Sequence, residues 1–418
     1  FKKFFCVLLF HGSWFVYYSY EIVPHCRGSC DMKNILRITG LLFVCGLSFF
    51  GCAVSEKDQN QKAILDIFKS SLKHENFFVR SAAVKAIGEM GDPTLVSMVI
   101  PHFKDPEPFV RLFTVESVAQ LGGPDQLKLL LAAGADPEPM VRIAVVKALH
   151  ELADADGKVS TFPLDTILPP FMKDPDPTVS LFAKAALAKQ GNEKMLEEIL
   201  LAAEDHELMP PAIVALGRTK SKRAIATLAK ALLHSDSAIR MFAAASLGEI
   251  AEPNTFSLLA LFIKDADPSV RGASATALGK IGDQRSIPLL TKLLSDSDAS
   301  VRISAAEGLA LLGKNRFDVY EKELKNDDYA IRHAIIGSLQ KTGGAAAIPL
   351  LIKGLSDKAP RVRIASVRAI GTLGGEREIP ILKGQISDPD LSVRAYAAGN
   401  LGRLMNPPKT KSFDISGR

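Results

Sequence analysis

Asp265-Ala266-Asp267-Pro268-Ser269-Val270-Arg271-Gly272-Ala273-Ser274-Ala275-Thr276-Ala277-Leu278-Gly279 is the stretch that decides the fold of this chain. Val270, Ser274, Ala275 and Leu278 stand at −1, +3, +4 and +7 from Arg271. Small and apolar residues at that spacing form one stripe of a 3.6-residue period and predict an amphipathic helix. Asp267 followed by Pro268 predicts the helix start, because an acid accepts the free N–H groups of a first turn and proline lacks an N–H that would be unpaired there anyway. Gly279 and Gly282, eight and eleven residues after the arginine, predict the helix end.

The same frame returns along most of the chain. A Val-Arg or Ile-Arg pair recurs at Arg80, Arg111, Arg142, Arg240, Arg271, Arg302, Arg332, Arg363 and Arg394, and degenerate members stand at Val179-Ser180 and Leu208-Met209. Most steps are 31 residues, and one step of 38 between Arg142 and Ser180 carries an insertion. Ahead of each such helix lies a second apolar run, such as Ser286 to Leu294, with proline in its early turns. Strand signals are absent from these units. A two-helix unit of this length cannot bury its own apolar face, so neighbours must stack.

The recurrent frame Asp-x-Asp-x-x-Val-Arg-x-x-Ala-x-x-Ala-Leu-Gly resembles the HEAT repeat, in the short form also found in phycobilisome lyases, over residues 61–405. The resemblance implies an all-α fold, a right-handed α-α superhelix (a HEAT/armadillo-like solenoid) of about eleven two-helix repeats. It also implies ladders of Arg and acid along the spine. Eight of the nine arginines have Asp, Glu or Asn four residues earlier, Arg363 having Ala359 instead, so each is expected to bring its own acid. That pairing argues against reading the arginines as a stripe for anionic ligands. The expected shape is a curved rod about 100 Å long. Irregular joints are expected at the insertion, Ala153 to Asp165, and at Pro210-Pro211.

Charge and cysteine usage narrow the function. The 418 residues carry a formal net charge of +5, but residues 1–51 hold five Lys/Arg against two acids, which leaves the body near neutral. A near-neutral body gives no electrostatic footprint for nucleic acid. All five cysteines, Cys6, Cys26, Cys30, Cys45 and Cys52, precede the repeats, so the body has neither a disulfide framework nor a thiolate metal site.

Residues 1–31 precede the first methionine, are rich in aromatics and read as upstream sequence translated from a misplaced start. A membrane segment over Phe4 to Tyr20 is the competing reading, weakened by His11-Gly12 and by its shortness. From Met32 a basic n-region (Lys33, Arg37) leads into a short apolar run, Ile38 to Phe50, then Gly51-Cys52. Residues 32–51 are therefore expected to be a signal peptide, and 52–60 a polar tether. Gly51-Cys52 resembles the lipobox of bacterial lipoproteins, although Phe49 and Phe50 replace the usual Leu and small residue. The resemblance implies diacylation of Cys52 and a lipid anchor in the cell envelope. Ala53 in place of Asp favours the outer membrane. Residues 406–418 form a C-terminal tail.

Chemical signals are weak. His74-Glu75, His150-Glu151 and His206-Glu207 invite comparison with deoxyhypusine hydroxylase, a HEAT-like oxidoreductase that holds a di-iron centre through such dyads. Their registers within the repeat differ, so they cannot converge on one metal pair. A phycobilin-lyase-like activity shares the repeat but no tetrapyrrole signal. Asp154-Ala155-Asp156-Gly157 lacks the remaining acids of a calcium loop. The expectation is therefore a scaffold with no catalytic residue, cofactor or metal, monomeric, and binding an unknown protein or peptide. For the binding face, position +1 carries Leu112, Ile143, Leu181, Met241, Ile303 and Ile364, and position +2 adds Phe113, Phe182 and Phe242. In HEAT proteins the second helices line the concave surface, so these nine residues would form an apolar strip rimmed by charge. The alternative is that they pack between neighbouring repeats.

Overall fold

The computed structural model describes residues 3–10, 13–20, 55–122, 124–154 and 164–407, which fall into two units, 1–56 and 57–418. In the first unit, Lys3–Phe10 (β1) and Ser13–Tyr20 (β2) pair antiparallel, with Lys3 opposite Tyr20 and Phe10 opposite Ser13. The stretch weighed above as a membrane segment is thus a strand pair, and among the described residues no helix is long and apolar enough to cross a membrane. The expected signal peptide, residues 32–51, Cys52 with Ala53, most of the insertion (155–163) and the tail from 408 lie outside the described residues.

The second unit is an α-α solenoid. Its first helix is Glu56–Ser71, so part of the expected polar tether is helical. The second helices of the eleven repeats are α1 (Phe77–Met90), α2 (Pro108–Leu121), α3 (Pro139–Asp154), α4 (Pro177–Lys189), α5 (Met209–Thr219), α6 (Ser237–Ile250), α7 (Pro268–Ile281), α8 (Ala299–Leu311), α9 (Tyr329–Thr342), α10 (Pro360–Leu373) and α11 (Leu391–Met405). Each packs closely on the second helix before and after it, whereas neighbouring first helices meet only sparsely. The second helices therefore line the inside of the curve. Val79, Val110, Val141, Val179, Val270, Val301, Val362 and Val393, all at −1, are buried in a continuous apolar core.

The helix starts follow the sequence. Asp176, Asp236, Asp267, Asp298, Asp328 and Asp390 each accept first-turn N–H groups of the helix that follows. Pro210 and Pro211 lie in the first turn of α5, where a missing N–H costs little, rather than at a broken joint. The two glycine positions differ in role. Gly91 and Gly282 at +11 are left-handed C-caps with φ of 74° and 79°, whereas Gly374 is extended. The +8 glycines lie inside their helices. A Cβ on Gly279 would stand 2.5 Å from the Gly308 Cα, and one on Gly88 would stand 2.6 Å from the Ser117 Cβ. Their task is close approach between consecutive second helices, not termination.

The arginine ladder is present, with different partners from those expected. Arg271 donates from Nε and Nη2 to the two carboxylate oxygens of Asp296, at 2.9 and 2.8 Å, in the next repeat. Its Nη1 reaches back to the Asp265 and Ala266 carbonyls. Arg80, Arg111, Arg142, Arg240, Arg332 and Arg363 do the same toward Asp105, Asp136, Asp174, Asp265, Asp357 and Asp388. Arg302 turns to Glu323, because Asn326 stands where the acid would be. Asp236, Asp267, Asp298, Asp328 and Asp390, four residues before their arginines, are helix caps. The arginine's own partner comes from the repeat ahead, so the rung ties two repeats together.

The expected open rod is not what forms. α11 packs against α1 more closely than most consecutive pairs of second helices pack on each other. Gly399 lies so near that a Cβ would meet the Ala86 carbonyl oxygen at 2.5 Å. Arg368 Nε bonds both carboxylate oxygens of Glu89, at 3.0 and 3.1 Å. The small rotation between stacked repeats, about 33° each for eleven, accumulates to a full turn. Helices spaced about 9 Å apart then close on a circle of roughly 16 Å radius at their axes.

The join differs from the other interfaces. Elsewhere a +8 glycine faces the +6 residue of the next helix, as with Gly217 and Ser246, Gly248 and Ala277, or Gly371 and Asn400. Across the join, Gly402 at +8 faces Met90 at +10, an offset of one helical turn, about 5 Å. Arg394 donates to the carbonyl of its own Asp388, and His74 occupies the place where the first repeat would offer an acid. The ring is therefore a split washer, with a seam that carries no Arg–Asp rung.

Candidate functional site

The seam builds a groove. Asn76 caps α1 by accepting the Phe78 N–H at 2.9 Å; Phe77 packs against the core and Phe78 stands outward, with their ring centroids 4.0 Å apart. The one-turn offset leaves the N-terminal ends of α9, α10, α11 and α1 around a groove of about 590 Å³. Its walls include Phe78, Tyr329, His333, Arg361, Ile364 and Tyr396. Phe78 is 57% exposed and Tyr329 44%, high values for residues of that size. Burial, reinforced by Arg361 and Arg368, holds the His333 imidazole below its usual range, so the ring is neutral near pH 7. The phenol of Tyr396 is pushed up by burial and by Glu89, and Arg368 lies over its ring at 5.5 Å. The groove thus offers two open aromatic faces beside one exposed cation, Arg361.

The family described as HEAT repeats matches residues 62–150, 194–260, 255–320 and 317–402. The chain belongs to the HEAT-repeat family. Among curated proteins none matches. Among solved structures, the complex of CpcE and CpcF of phycocyanin lyase from Nostoc sp. PCC7120 is similar at 20% identity, covering 56% of this chain and 93% of that one, with a TM-score of 0.39. Human deoxyhypusine hydroxylase is similar at 19% identity over 61% of this chain and 97% of its own, with a TM-score of 0.29. A mutant of Kap121p matches at 16% identity over 80% of this chain and 45% of its own, with a TM-score of 0.37. At these levels the likenesses carry nothing about activity.

The HEAT protein does not present the expected apolar strip. Leu181, Phe182 and Ile303 are buried at 3%, 8% and 4% exposure and belong to the core. Leu112, Phe113, Ile143, Phe242 and Ile364 are half-buried and packed against it, and Met241 is half-buried. The close approach of consecutive second helices draws the +1 and +2 side chains into the inter-repeat contact, as the packing alternative had it. Of the nine, only Ile364 lines the groove. Two of the exposed aromatics stand elsewhere, at Phe78 and Phe109 in position −2, where other repeats carry Thr178, Ala238, Ser269, Ser300 and Ser392. Comparing that column across repeats would have found them.

His74, His150 and His206 sit at different heights of different repeats, and among the described residues no three His, Cys, Asp or Glu side chains are grouped to hold a metal ion. The inner face of the HEAT ring instead carries ion pairs between neighbouring second helices. Lys85 meets Glu116 at 2.6 Å, Lys280 meets Glu249 at 2.5 Å and Lys341 meets Glu307 at 3.4 Å. Arg368 reaches across the seam to Glu89.

Proposed function

We propose that this HEAT protein is a non-catalytic, monomeric binding scaffold, held at a bacterial cell envelope through acylated Cys52, that takes an aromatic- or apolar-rich protein segment into the seam groove. The observation that carries the reading is the groove itself, where four helix ends leave Phe78 and Tyr329 open to solvent beside Arg361. Large apolar side chains held open on a soluble fold mark interaction sites, and aromatics with arginine are the commonest energetic anchors of such sites. Ring closure supports a monomer, since it leaves no end repeat with an uncovered apolar face.

A photoreactive residue in place of Phe78, in cells, identifies the partner, and the repurified binary complex then gives an affinity. Phe78→Ser with Tyr329→Ser should weaken that affinity at least tenfold while thermal unfolding stays within about 1 kcal/mol, because about half of each side chain is in water already. Equal affinity of the double variant would overturn the reading. The anchor is tested separately. Cys52→Ser should release the protein from the membrane fraction or leave an unprocessed precursor, and equal membrane association of variant and wild type would remove lipidation from the account. If Cys52 is diacylated, two chains suffice for stable anchoring.

A further inference from the structure

Three consecutive helices bring cations together on the inner face, and two of them, α4 and α5, belong to the repeats that lack the spine arginine. Lys147 of α3 has its Nζ 5.7 Å from the centroid of the Phe182 ring on α4. Arg218 of α5 has its Cζ 4.9 Å from the same centroid. Lys189, also on α4, is hydrogen-bonded at 3.2 Å to His150, and His150 lines a small cleft with Phe182 and Arg218. Lys85, Lys280, Lys341 and Arg368, also on this face, each pair with a carboxylate from a neighbouring helix. Among the described residues, Lys147 and Arg218 make no such pair. Glu151 is close enough to be felt by both, but not as an ion-pair partner.

This convergence is unfavourable by itself. Burial holds Lys147 below its usual range and the Arg218 charge lowers it further. Burial likewise depresses Arg218. Two half-buried like charges around one aromatic ring are only partly compensated by cation–π attraction and by the more distant Glu116, Glu151 and Glu249. An oxyanion placed between them would satisfy both, through charge-assisted hydrogen bonds that a guanidinium and an ammonium form well with carboxylate or phosphate.

We propose that Lys147 and Arg218, positioned by Phe182, form an oxyanion-binding site on the inner face of α3–α5, for a carboxylate- or phosphate-bearing ligand. The site lies on different repeats from the seam groove, so either can fail without the other.

The test uses the full chain, with its thermal unfolding followed at constant ionic strength while sodium chloride is replaced by pyrophosphate in one arm and by citrate in the other. A saturable rise in midpoint in either arm is expected, and the stronger arm tells phosphate from carboxylate. Lys147→Gln and Arg218→Gln should each weaken the apparent affinity at least tenfold, whereas Lys280→Gln, on the same face but paired, should leave it within twofold. Ligand-free Lys147→Gln at low salt should melt no lower than wild type, because it relieves repulsion. If Arg218→Gln fails to fold, the Lys147→Gln pair of measurements decides alone. Absence of a saturable shift in both arms, an equal loss in Lys280→Gln, or a Lys147→Gln variant that melts lower yet keeps its anion response would each overturn the site.

Discussion

Arg332 illustrates what a single residue contributes here. Its side chain is only 5% exposed, yet it has two donors on Asp357 and a third shared by the Asn326 and Asp327 carbonyls. Such a rung costs desolvation and stabilises only while both partners are present. The arginines hold the Asp174, Asp265, Asp296 and Asp357 carboxyls below the usual carboxylate range. These groups add stability above the ordinary carboxylate pKa, and it is lost as pH falls through their lowered folded-state values, because the unfolded chain takes up protons first. Thermal unfolding of Arg271→Gln from about pH 6 to 3 should therefore start lower than wild type and show a shallower acid limb, with Asp296 titrating near its ordinary value. Parallel limbs would mean the rung does not set the acid response. The recurrence of the arginine was legible in the sequence, but its partner was not. Arg111, Arg142, Arg271, Arg302 and Arg394 follow acids at both −6 and −4, and only packing decides that the −4 acid stays at the helix start while the −6 acid pairs with the arginine of the repeat before.

At the scale of helices, glycine carries the difference between contact and free space. Gly279 meets the Gly308 backbone, and nothing stands within 4 Å of where a Gly337 Cβ would be. Gly279→Val should lower stability by about 2–3 kcal/mol, since two backbones would have to part. Gly337→Ala, in the interior of α9, should raise it by about 1 kcal/mol through helix propensity. Equilibrium unfolding in urea checks both, and equal effects would deny the distinction. Helix number, capping and the buried −1 stripe followed directly from the periodicity of Val270, Ser274, Ala275 and Leu278. The exposure of Leu112 or Phe182 did not, because a wheel places residues on one helix and says nothing of how near the next helix comes. Gly88 and Gly279 bring it near, and the +1 and +2 side chains are covered as a result.

For the repeat unit as a whole, closure was beyond the reach of the repeat pattern, which is the same in an open and a closed array. The clues were local departures, namely Gly399 at a position where other repeats carry Lys85, Glu116 or Arg368, and His74 where an acid was due. Gly399→Leu should open the seam, because the obstruction it meets is the Ala86 backbone rather than a movable side chain. Amide hydrogen exchange then reads the result. In the wild type α1 and α11 should be protected about as well as α6, and in the variant both should exchange at least tenfold faster while α6 changes little. Unchanged protection would mean the seam contributes nothing.

Closure also alters how such an array comes apart. A linear stack of eleven units has ten interfaces and two free ends, and melting begins at an end, where one unit is lost by breaking a single interface. With α11 against α1 the array has periodic boundaries, so the first unit to unfold must sever contacts on both sides at once. The cheapest breach is the seam, with its one-turn offset and missing rung, and only after it parts does fraying from α1 and α11 become available. Unfolding should thus be gated by one weak clasp, which makes the lifetime of the folded ring a property of its seam more than of its average repeat.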